Sequence, residues 1–312
     1  MRKYIIDTDI GDDIDDAFAL DLALKKDLGL AGITTVFKNT DDRARIAKKM
    51  LTLAGKDIPV YAGLSQTLDG IIRTTEHCCQ WTADLADGKY SPENFNGGRC
   101  DENAAIDFIV DCARKYGKDL YILAIGPLTN VAAAILRDKD AIEQIGGVIM
   151  MGGDYANQYV EWNIFCDVKA AEVLFTSKLN VTAFGHEVTS KFSVTESQQE
   201  YIFNMNKDAY YAYLAELSRL WVVSKPLPNW RIVLHDVLVV RQALEAGYCK
   251  TKEIEMHLET ESPYVYGMTV NLDKCDLVKS PAGKKITIAI DPDMREILDT
   301  EMKIIGYRED NL

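Results

Sequence analysis

Short apolar segments alternate with longer amphipathic segments through the first two thirds of the chain, and this alternation constrains the fold more than any other feature. The short segments lie at 3–7, 30–36, 58–63, 120–125, 146–151 and 180–185. Most of the segments between them carry apolar residues at three-to-four spacing, as in "NAAIDFIVDCARKYG", which is typical of helices that cover a sheet. We therefore predict an α/β fold with an open, mainly parallel sheet flanked by helices.

The chain after residue 195 follows a different pattern. From about 195 to 230 it is helical and rich in aromatic residues, which predicts an inserted helical lobe near the active site. The segments "EIEMHLE", "YVYGMTVNL" and "KKITIAI" predict extra C-terminal strands, and a last helix is expected from about residue 293. Because no repeat or Pro/Gly-rich linker divides the chain, residues 1–312 are predicted to form a single domain.

The composition narrows the choice of partners and compartment. Asp and Glu outnumber Lys and Arg by 48 to 35, for a formal net charge of -13, and no basic block is present. Nucleic acid and anionic membranes are therefore not expected as partners. No stretch approaches the roughly 20 apolar residues that span a bilayer, the seven cysteines form no C-x-x-C pair, and the N-terminus lacks a signal-peptide pattern. These features predict a soluble cytoplasmic protein with reduced thiols.

Six aspartates fall within ten positions directly after the first predicted strand, in "YIIDTDIGDDIDDAFAL" (residues 4–20). Crowded carboxylates raise one another's pKa unless a helix N-terminus, solvent or a cation offsets their charge. Helix capping would use Asp12 or Asp13 as the N-cap, with two further acids in the first turn. Capping leaves Asp7 and Asp9 unexplained, because they end an apolar strand, where a buried charge is costly.

Two known aspartate motifs do not fit this turn. An EF-hand calcium loop starting at Asp7 would have Gly11 at its fifth position and Phe18 at its twelfth, where the motif requires Asp or Asn and then Glu. A haloacid-dehalogenase phosphatase uses D-x-D-x-[TV], and Gly11 again stands in the last place. A divalent-cation site of another kind remains, with oxygens from Asp9, Asp16 and a distant carboxylate.

Polar residues also follow the other predicted strands. In chain order, they are Asn39, the segment "IGPLTN", Asn157, Glu161, Asn163, His186 and Glu187. The carboxyl ends of parallel strands meet at one edge of a sheet, where open α/β folds bind their ligands. This distribution predicts a cleft that binds a metal ion and hydroxyl groups.

The acidic turn resembles the N-terminal signature D-x-D-P-G-x-D-D-x-x-A of the nucleoside hydrolases of the inosine–uridine-preferring type. The resemblance continues in the family's order through "GITTVFKN", "GPLTN", "VIMMGGDY", "VEWNIFCDVKAA" and "VLHDV", and so covers nearly the whole chain. It implies an α/β fold and one tightly bound Ca²⁺. It also implies hydrolysis of the N-glycosidic bond of ribonucleosides by a calcium-activated water, and a homodimer or homotetramer.

The resemblance places the family's roles on residues of this chain. The calcium ligands it implies are Asp9, Asp16, Asp236 and the backbone carbonyl of Ile125. Asp9 would also take a proton from the attacking water, and His235 would act as the general acid for the leaving base. The residues it implies for binding the ribose hydroxyls are Asp15, Asn39, Glu161 and Asn163. Asn157, in the loop after the fifth predicted strand, is a further candidate for substrate binding.

Several assignments stay open at this stage. Ile10 replaces the family's proline and two extra residues follow the next glycine, so Asp13 competes with Asp15 for the ribose-binding place. His77 is a candidate for the family's second histidine, and one or two aromatic residues of 201–230 are expected to face the base. The choice between purine, pyrimidine and other N-ribosides is open. The alternatives to a hydrolase are a metal-dependent phosphatase and a non-catalytic nucleoside- or sugar-binding protein on the same fold.

Overall fold

The computed structural model describes residues 2–70, 76–94, 101, 103–226, 230–275, 283–290 and 294–308. The strands in this part of the chain are β1 Lys3–Thr8, β2 Leu30–Thr35, β3 Val60–Ala62, β4 Leu120–Ala124, β5 Gly147–Met151, β6 Val181–Phe184, β7 Thr251–Leu258, β8 Thr269–Asn271 and β9 Lys284–Ala289. The α-helices are α1 Asp15–Lys25, α2 Thr40–Leu53, α3 Ala104–Tyr116, α4 Thr129–Arg137, α5 Lys139–Ile142, α6 Trp162–Cys166, α7 Val168–Thr176, α8 His186–Thr189, α9 Glu196–Phe203, α10 Ala209–Ser224, α11 Val237–Leu244 and α12 Met294–Ile304.

The nine strands form one sheet in the order β3-β2-β1-β4-β5-β6-β9-β7-β8. All pairs from β3 to β9 are parallel, whereas β7 runs antiparallel to both β9 and β8. The predicted open, mainly parallel sheet with extra C-terminal strands is confirmed. The chain leaves β1 toward β2 on one side and returns to β4 on the other, so β1 and β4 flank the topological switch point where such sheets bind ligands.

Alternating residues of β1 supply two separate hydrophobic cores. Ile6 packs on one face with residues of α1, α2, α10 and α11, and Ile5 packs on the other face with residues of α3, α4 and α7. Both side chains are buried, Ile5 with 0% and Ile6 with 1% exposure. Because successive strand side chains point to opposite faces, a continuous apolar run such as "YII" is what a strand covered on both faces requires.

The predicted helical lobe is present as α9 and α10. Thr195 and Gln198 form a capping box that starts α9, and the side chain of Asp208 caps α10. Residues 227–229 of the predicted lobe lie outside the described residues. The last helix begins at Met294, one residue after the predicted start, and residue 293 is not described. None of the helices in the described ranges is long and apolar enough to cross a membrane.

Candidate active site

A cavity of about 570 Å³ opens at the carboxyl ends of the parallel strands. Its walls come from the loops after β1, β2, β4, β5 and β6, the end of α10 and the start of α11. The predicted site residues that line it are Asp9, Asp15, Asp16, Ile125, Glu161, Asn163, His235 and Asp236. The fold therefore brings residues from separate parts of the chain to the edge of the sheet where ligands are expected.

The loop between β1 and α1 is held from beneath by Arg43 of α2. The guanidinium is fully buried, and its Nε and Nη1 atoms donate to backbone carbonyl groups of the loops after β1 and β2. Its Nη2 atom lies 2.9 Å from Asp12 Oδ2, and Lys38 Nζ lies 2.7 Å from the same oxygen. Burial raises the pKa of Asp12, but the two cations outweigh it and hold this pKa below its ordinary value.

Capping of α1 by Asp12 or Asp13, one of the alternatives for the acidic turn, does not occur. The N-cap is Ile14, with no side-chain capping bond. Asp12 is engaged with Arg43, and Asp13 Oδ1 accepts from the backbone N–H of Ile14 at 2.7 Å. The two extra residues of the turn therefore belong to a loop anchored on α2, and not to a helix cap.

Asp7 lies beneath the cavity and ties three elements together. Its Oδ1 atom accepts from Thr34 Oγ1 of β2 at 2.6 Å and from Asn130 Nδ2 of α4 at 2.8 Å. Burial raises the pKa of Asp7 to about 7 despite these bonds. The first aspartate of the motif, which capping could not explain, thus has a structural role.

Asp15, Asp16 and Asp236 converge on one point of the cavity wall. Within the described ranges they form the group of acidic side chains that could hold a metal ion, with one oxygen of each within 4.8 Å of the others. The backbone N–H of Asp236 donates to Asp15 Oδ2 at 3.3 Å, and Thr8 Oγ1 donates to Asp16 Oδ1. This geometry supports alignment of the family's D-D pair on Asp15 and Asp16. Asp9 lies outside this group but on the same cavity wall.

The three clustered carboxylates fit a hard divalent cation. Burial raises the pKa of Asp15, Asp16 and Asp236 well above the ordinary value, and repulsion within the acidic cluster raises it further. A cation between them would offset both costs. Carboxylate and carbonyl oxygens are the donors that Ca²⁺ and Mg²⁺ prefer, whereas zinc sites use His and Cys.

Asp9 approaches the segment "GPLTN" so closely that only glycine fits there. A Cβ on Gly126 would lie 2.8 Å from both the backbone N and Oδ1 of Asp9. Burial raises the pKa of Asp9 to about 6, and the attraction of Arg43 limits that rise. A carboxylate whose pKa lies this close to neutrality is suited to accept a proton.

Glu161 and Asn163 are fixed at the start of α6. The Glu161 carboxylate accepts three backbone N–H groups at 2.9, 3.0 and 3.1 Å, yet burial still raises its pKa to about 7. Asn163 Nδ2 donates to the carbonyl oxygens of Met151 at 3.2 Å and Ile125 at 3.4 Å. The amide of Asn163 therefore lies directly beside the carbonyl that was predicted to bind the ion.

His235 is oriented by α8. Its Nδ1 atom lies 2.8 Å from Thr189 Oγ1, and its ring lies 6.0 Å from the ring of His186, centroid to centroid. Burial lowers the pKa of His235 to about 4, and repulsion from His186 adds to this effect. The imidazole is therefore neutral at neutral pH.

Asn39 and Asn157, predicted to bind substrate, are not among the residues that line the cavity. Asn39 Oδ1 accepts from the backbone N–H of Asp42 at 3.3 Å and caps α2. Asn157 is exposed, and its backbone N–H and Nδ2 donate to the carboxylate of Asp154 at 2.7 and 3.1 Å. Both side chains serve local turns, a use that asparagine favours anywhere.

His77 also lies away from the cavity lining. It stacks on Trp81 with a centroid distance of 4.1 Å, and its Nδ1 atom lies 2.7 Å from Asp42 Oδ2. Residues 71–75, which precede it, are outside the described ranges.

The aromatic wall of the cavity differs from the expectation. Tyr210, Tyr211 and Trp221 are buried in the core, and neither they nor Trp230 line the cavity. The aromatic residues that do are Tyr159, Trp162, His186 and His235. Tyr159 and Trp162 flank Glu161 in the loop after β5, and this position at the carboxyl end of a strand was the one available signal.

Two lysines that line the cavity were also not predicted from the sequence. Lys38 pairs with Asp12, and Lys225 Nζ lies 3.8 Å from Asp13 Oδ2. Lys38 follows β2 directly and so could have been placed at the sheet edge, whereas nothing in the helical lobe indicated Lys225.

Comparisons with known proteins agree with this arrangement. A sequence profile described as "Inosine-uridine preferring nucleoside hydrolase" matches residues 4–299. Uridine nucleosidase 1 from Arabidopsis thaliana is 34% identical over 204 residues, which cover 62% of this chain and 59% of that protein, less than two thirds of its length. The pyrimidine-specific ribonucleoside hydrolase RihA from Photobacterium profundum is 28% identical over 297 residues, 91% of this chain and 93% of that protein.

A solved structure extends the likeness to three dimensions. The purine-preferring ribonucleoside hydrolase from Gardnerella vaginalis is 28% identical, with a TM-score of 0.75, and the match covers 97% of this chain and 98% of that one. Since the profile match spans nearly the whole sequence, the chain belongs to the inosine-uridine preferring nucleoside hydrolase family.

Proposed function

We propose that this protein hydrolyses the N-glycosidic bond of ribonucleosides, in a Ca²⁺-dependent reaction that releases ribose and a free base. One observation carries the proposal. Three buried carboxylates converge in a cavity at the strand ends, where Asp9, Glu161, Asn163 and His235 also meet. Each chemical group that such a hydrolysis needs is present on this wall.

The proposed ligands of the calcium ion are Asp9, Asp16, Asp236 and the carbonyl oxygen of Ile125. Ca²⁺ takes six to eight oxygens in flexible geometry, which leaves positions for water and for sugar hydroxyls. The bound ion would lower the pKa of a water that it coordinates, and it would hold the ribose hydroxyls in a fixed position. Asp9 accepts the proton of the attacking water, because as a ligand of the ion it would lie beside that water.

Asp15, Glu161 and Asn163 bind the ribose hydroxyls in this proposal. Departure of the base builds positive oxocarbenium charge on the sugar, which nearby carboxylates stabilise. Glu161 is held by three backbone N–H groups, so it meets the sugar in a fixed orientation. His235, oriented by Thr189, faces the leaving base and donates a hydrogen bond to it.

The charge of the cavity argues against a phosphatase. Its lining contains seven carboxylates and two lysines; the acids are Asp9, Asp12, Asp13, Asp15, Asp16, Glu161 and Asp236. Both lysines are already paired with Asp12 and Asp13. A phosphate monoester would be repelled by this excess of negative charge. The presence of both Asp9 and His235 argues against a binding protein without activity.

We also propose a homodimer or homotetramer that works in the cytoplasm. The assembly rests on the family resemblance, and the compartment rests on the six cysteines of the described ranges, which are free thiols. Light scattering at micromolar concentration should give a dimer or tetramer, and a monomer would contradict the proposal.

A panel of inosine, adenosine, guanosine, uridine and cytidine tests the activity. The names of the relatives include uridine, pyrimidine and purine substrates, so both classes of base are needed. We expect ribose release from at least one nucleoside, loss of that release with a calcium chelator, and recovery when calcium is restored. Release from none of the five, or phosphate release from p-nitrophenyl phosphate alone, would overturn the proposal.

A further inference from the structure

We propose that His186 is a second catalytic histidine, which delivers the proton that the leaving base takes up, and that Asp154 pairs with its protonated ring. The inference rests on the proposed hydrolysis and names the residue that meets the base. His186 is the first residue of α8, lines the cavity, and has a side chain that is 34% exposed. A ligand in the cavity can therefore reach it.

Neighbouring rings hold the imidazole of His186 in place. Its ring stacks on Tyr159 with a centroid distance of 4.4 Å and an interplanar angle of 24°. Its ring also lies nearly parallel to that of His235, at 6.0 Å and 20°. The backbone N–H of His186 donates to the carbonyl of Gly153 at 2.8 Å, which fixes the start of α8 against the loop after β5.

Asp154 is placed to stabilise the charged form of His186. Asp154 Oδ2 lies 3.7 Å from His186 Nδ1, and the Asp154 side chain is only 1% exposed. The backbone N–H groups of Ala156 and Asn157 donate to Asp154 Oδ1 at 3.0 and 2.7 Å, so the carboxylate is fixed. Since Nδ1 is the ring nitrogen close to Asp154, Nε2 is the nitrogen that is left to carry a proton to a ligand.

Other titratable groups lie around His186. Glu187 is next in the chain, and Glu161 starts the neighbouring α6. The phenol of Tyr159 stacks on the ring and carries no charge at neutral pH. His235 is neutral at neutral pH, because burial lowers its pKa to about 4, so it adds no like charge there. The carboxylate that forms an ion pair with the protonated ring is the buried, fixed Asp154, at 3.7 Å.

The proposed step balances in atoms and charge. The C1′–N bond breaks and its electron pair stays on the base nitrogen system, which takes the Nε2 proton of His186. The water oxygen bonds to C1′, and Asp9 accepts one water proton. Exchange with solvent then returns a proton to His186 and removes one from Asp9. His235 contributes a hydrogen bond to the base, so two histidines meet the departing group.

The experiment compares His186→Gln with the wild type on two substrates. For the best nucleoside of the panel, kcat/KM should fall on the order of 10²-fold, a typical general-acid contribution. For p-nitrophenyl riboside, whose phenolate leaves without a proton, it should fall less than about threefold. The loss of activity at high pH, where the acid deprotonates, should disappear from the nucleoside profile of the variant. His257→Gln is the matched control, because this exposed residue of β7 lies outside the cavity lining, and it should leave both activities unchanged.

Equal losses on both substrates, or no loss on the nucleoside, would overturn the assignment of His186 while the hydrolase activity of the wild type stands. Wild-type protein that cleaves neither substrate would instead overturn the proposed function and the assignment with it. If His186→Gln does not fold, His186→Phe keeps the aromatic contact with Tyr159 and removes both ring nitrogens. The same selective loss on the nucleoside is then expected, with an unchanged melting temperature.

Discussion

Asp9 has two tasks in the proposed reaction, as a calcium ligand and as the base that accepts the proton of water. Asp9→Asn removes both and should abolish cleavage of nucleosides and of p-nitrophenyl riboside alike, by on the order of 10³-fold or more, at the upper part of the range for one acid–base group. Initial rates with each substrate measure this loss. Asp13→Asn, on the same loop but not among the proposed calcium ligands, should lose far less. A fully active Asp9→Asn variant would contradict the assignment.

His235→Ala should separate contact with the leaving base from support of the fold. If His235 donates to the base, turnover of a nucleoside should fall by on the order of 10²-fold, and turnover of p-nitrophenyl riboside should fall much less. Parallel melting curves check folding, since Thr189 Oγ1 loses its partner in this variant. Equal losses on the two substrates, together with a lower melting temperature, would mean that His235 is only a core residue.

The sequence identified site residues where chemistry fixes the residue type, and failed where it does not. Only carboxylates can form the cluster of Asp15, Asp16 and Asp236, so their spacing could be recognised. Asparagine both binds sugars and caps helices, and Asn39 was therefore assigned to the site although its side chain caps α2. A wall that faces the base requires only a flat ring, so only its position in the loop after β5 distinguished Tyr159 from the aromatic residues that pack in the core.

At the scale of elements, the attachment of the loop between β1 and α1 to α2 depends on Arg43. Arg43→Gln leaves Asp12 with one fewer cation and removes bonds to several carbonyl groups, so the free energy of unfolding should fall by about 3 kcal/mol or more, as for a broken buried ion pair. Arg231→Gln, which removes an ion pair with Glu196 whose two side chains are 39% and 84% exposed, should cost about 1 kcal/mol or less. Urea unfolding of both variants measures the difference. Equal costs would mean that the buried guanidinium does not hold the loop.

The packing of α12 on α11 should make stability depend on pH. Burial outweighs the attraction of Arg241 and raises the pKa of Glu301 from 4.5 to about 7. The folded state therefore holds this proton more tightly than the unfolded state, and stability falls as pH rises between these two values. Glu301→Gln should flatten the fall in melting temperature over that window, measured in saturating calcium. Glu245→Gln, which removes an exposed partner of Arg241, should leave the slope unchanged; a flattened slope there would contradict this explanation.

The sequence predicted which segments are helices and which are strands, because each type of element buries apolar residues at its own spacing. The apolar runs of the strands and the three-to-four spacing of the helices agree with the structure to within a few residues. The start of α1 did not follow, because the capping preference of aspartate was outweighed by tertiary bonds. Asp12 binds Arg43 of α2 and does not cap α1. A rule based on neighbouring residues cannot predict such a contact with another helix.

At the scale of the whole molecule, calcium should stabilise the fold by binding only the folded state. At a concentration of one hundred times Kd the gain is about 2.7 kcal/mol, which corresponds to a rise of several degrees in melting temperature for a chain of this size. Elemental analysis should find about one calcium per chain, and thorough chelation should lower the melting temperature. Asp236→Asn should lose this response. Protein that contains zinc in place of calcium, or an unchanged melting curve after chelation, would contradict the site.

The strand order could be predicted only in part. The alternation of strands and helices required parallel pairing, but the positions of β9 between β6 and β7 and of β8 at the edge depend on packing between distant segments. The cavity depends on the same long-range order, because its walls come from residues between Asp9 and Asp236. For this reason the class of fold was accessible from local patterns and the shape of the cavity was not.

The bond between Asp236 and Asp15 spans 221 positions of the chain, and this separation matters while a ribosome is making the protein. Asp15 and Asp16 leave the exit tunnel long before Asp236 has been translated, so the nascent chain carries two of the three carboxylates without the third. Chains stalled or cleaved before that point should neither retain the ion nor cleave a nucleoside, whatever part of the sheet they have formed. Acquisition of the proposed ion must therefore wait until Asp236 has been made, because a chain that ends before this residue lacks one of the three carboxylates.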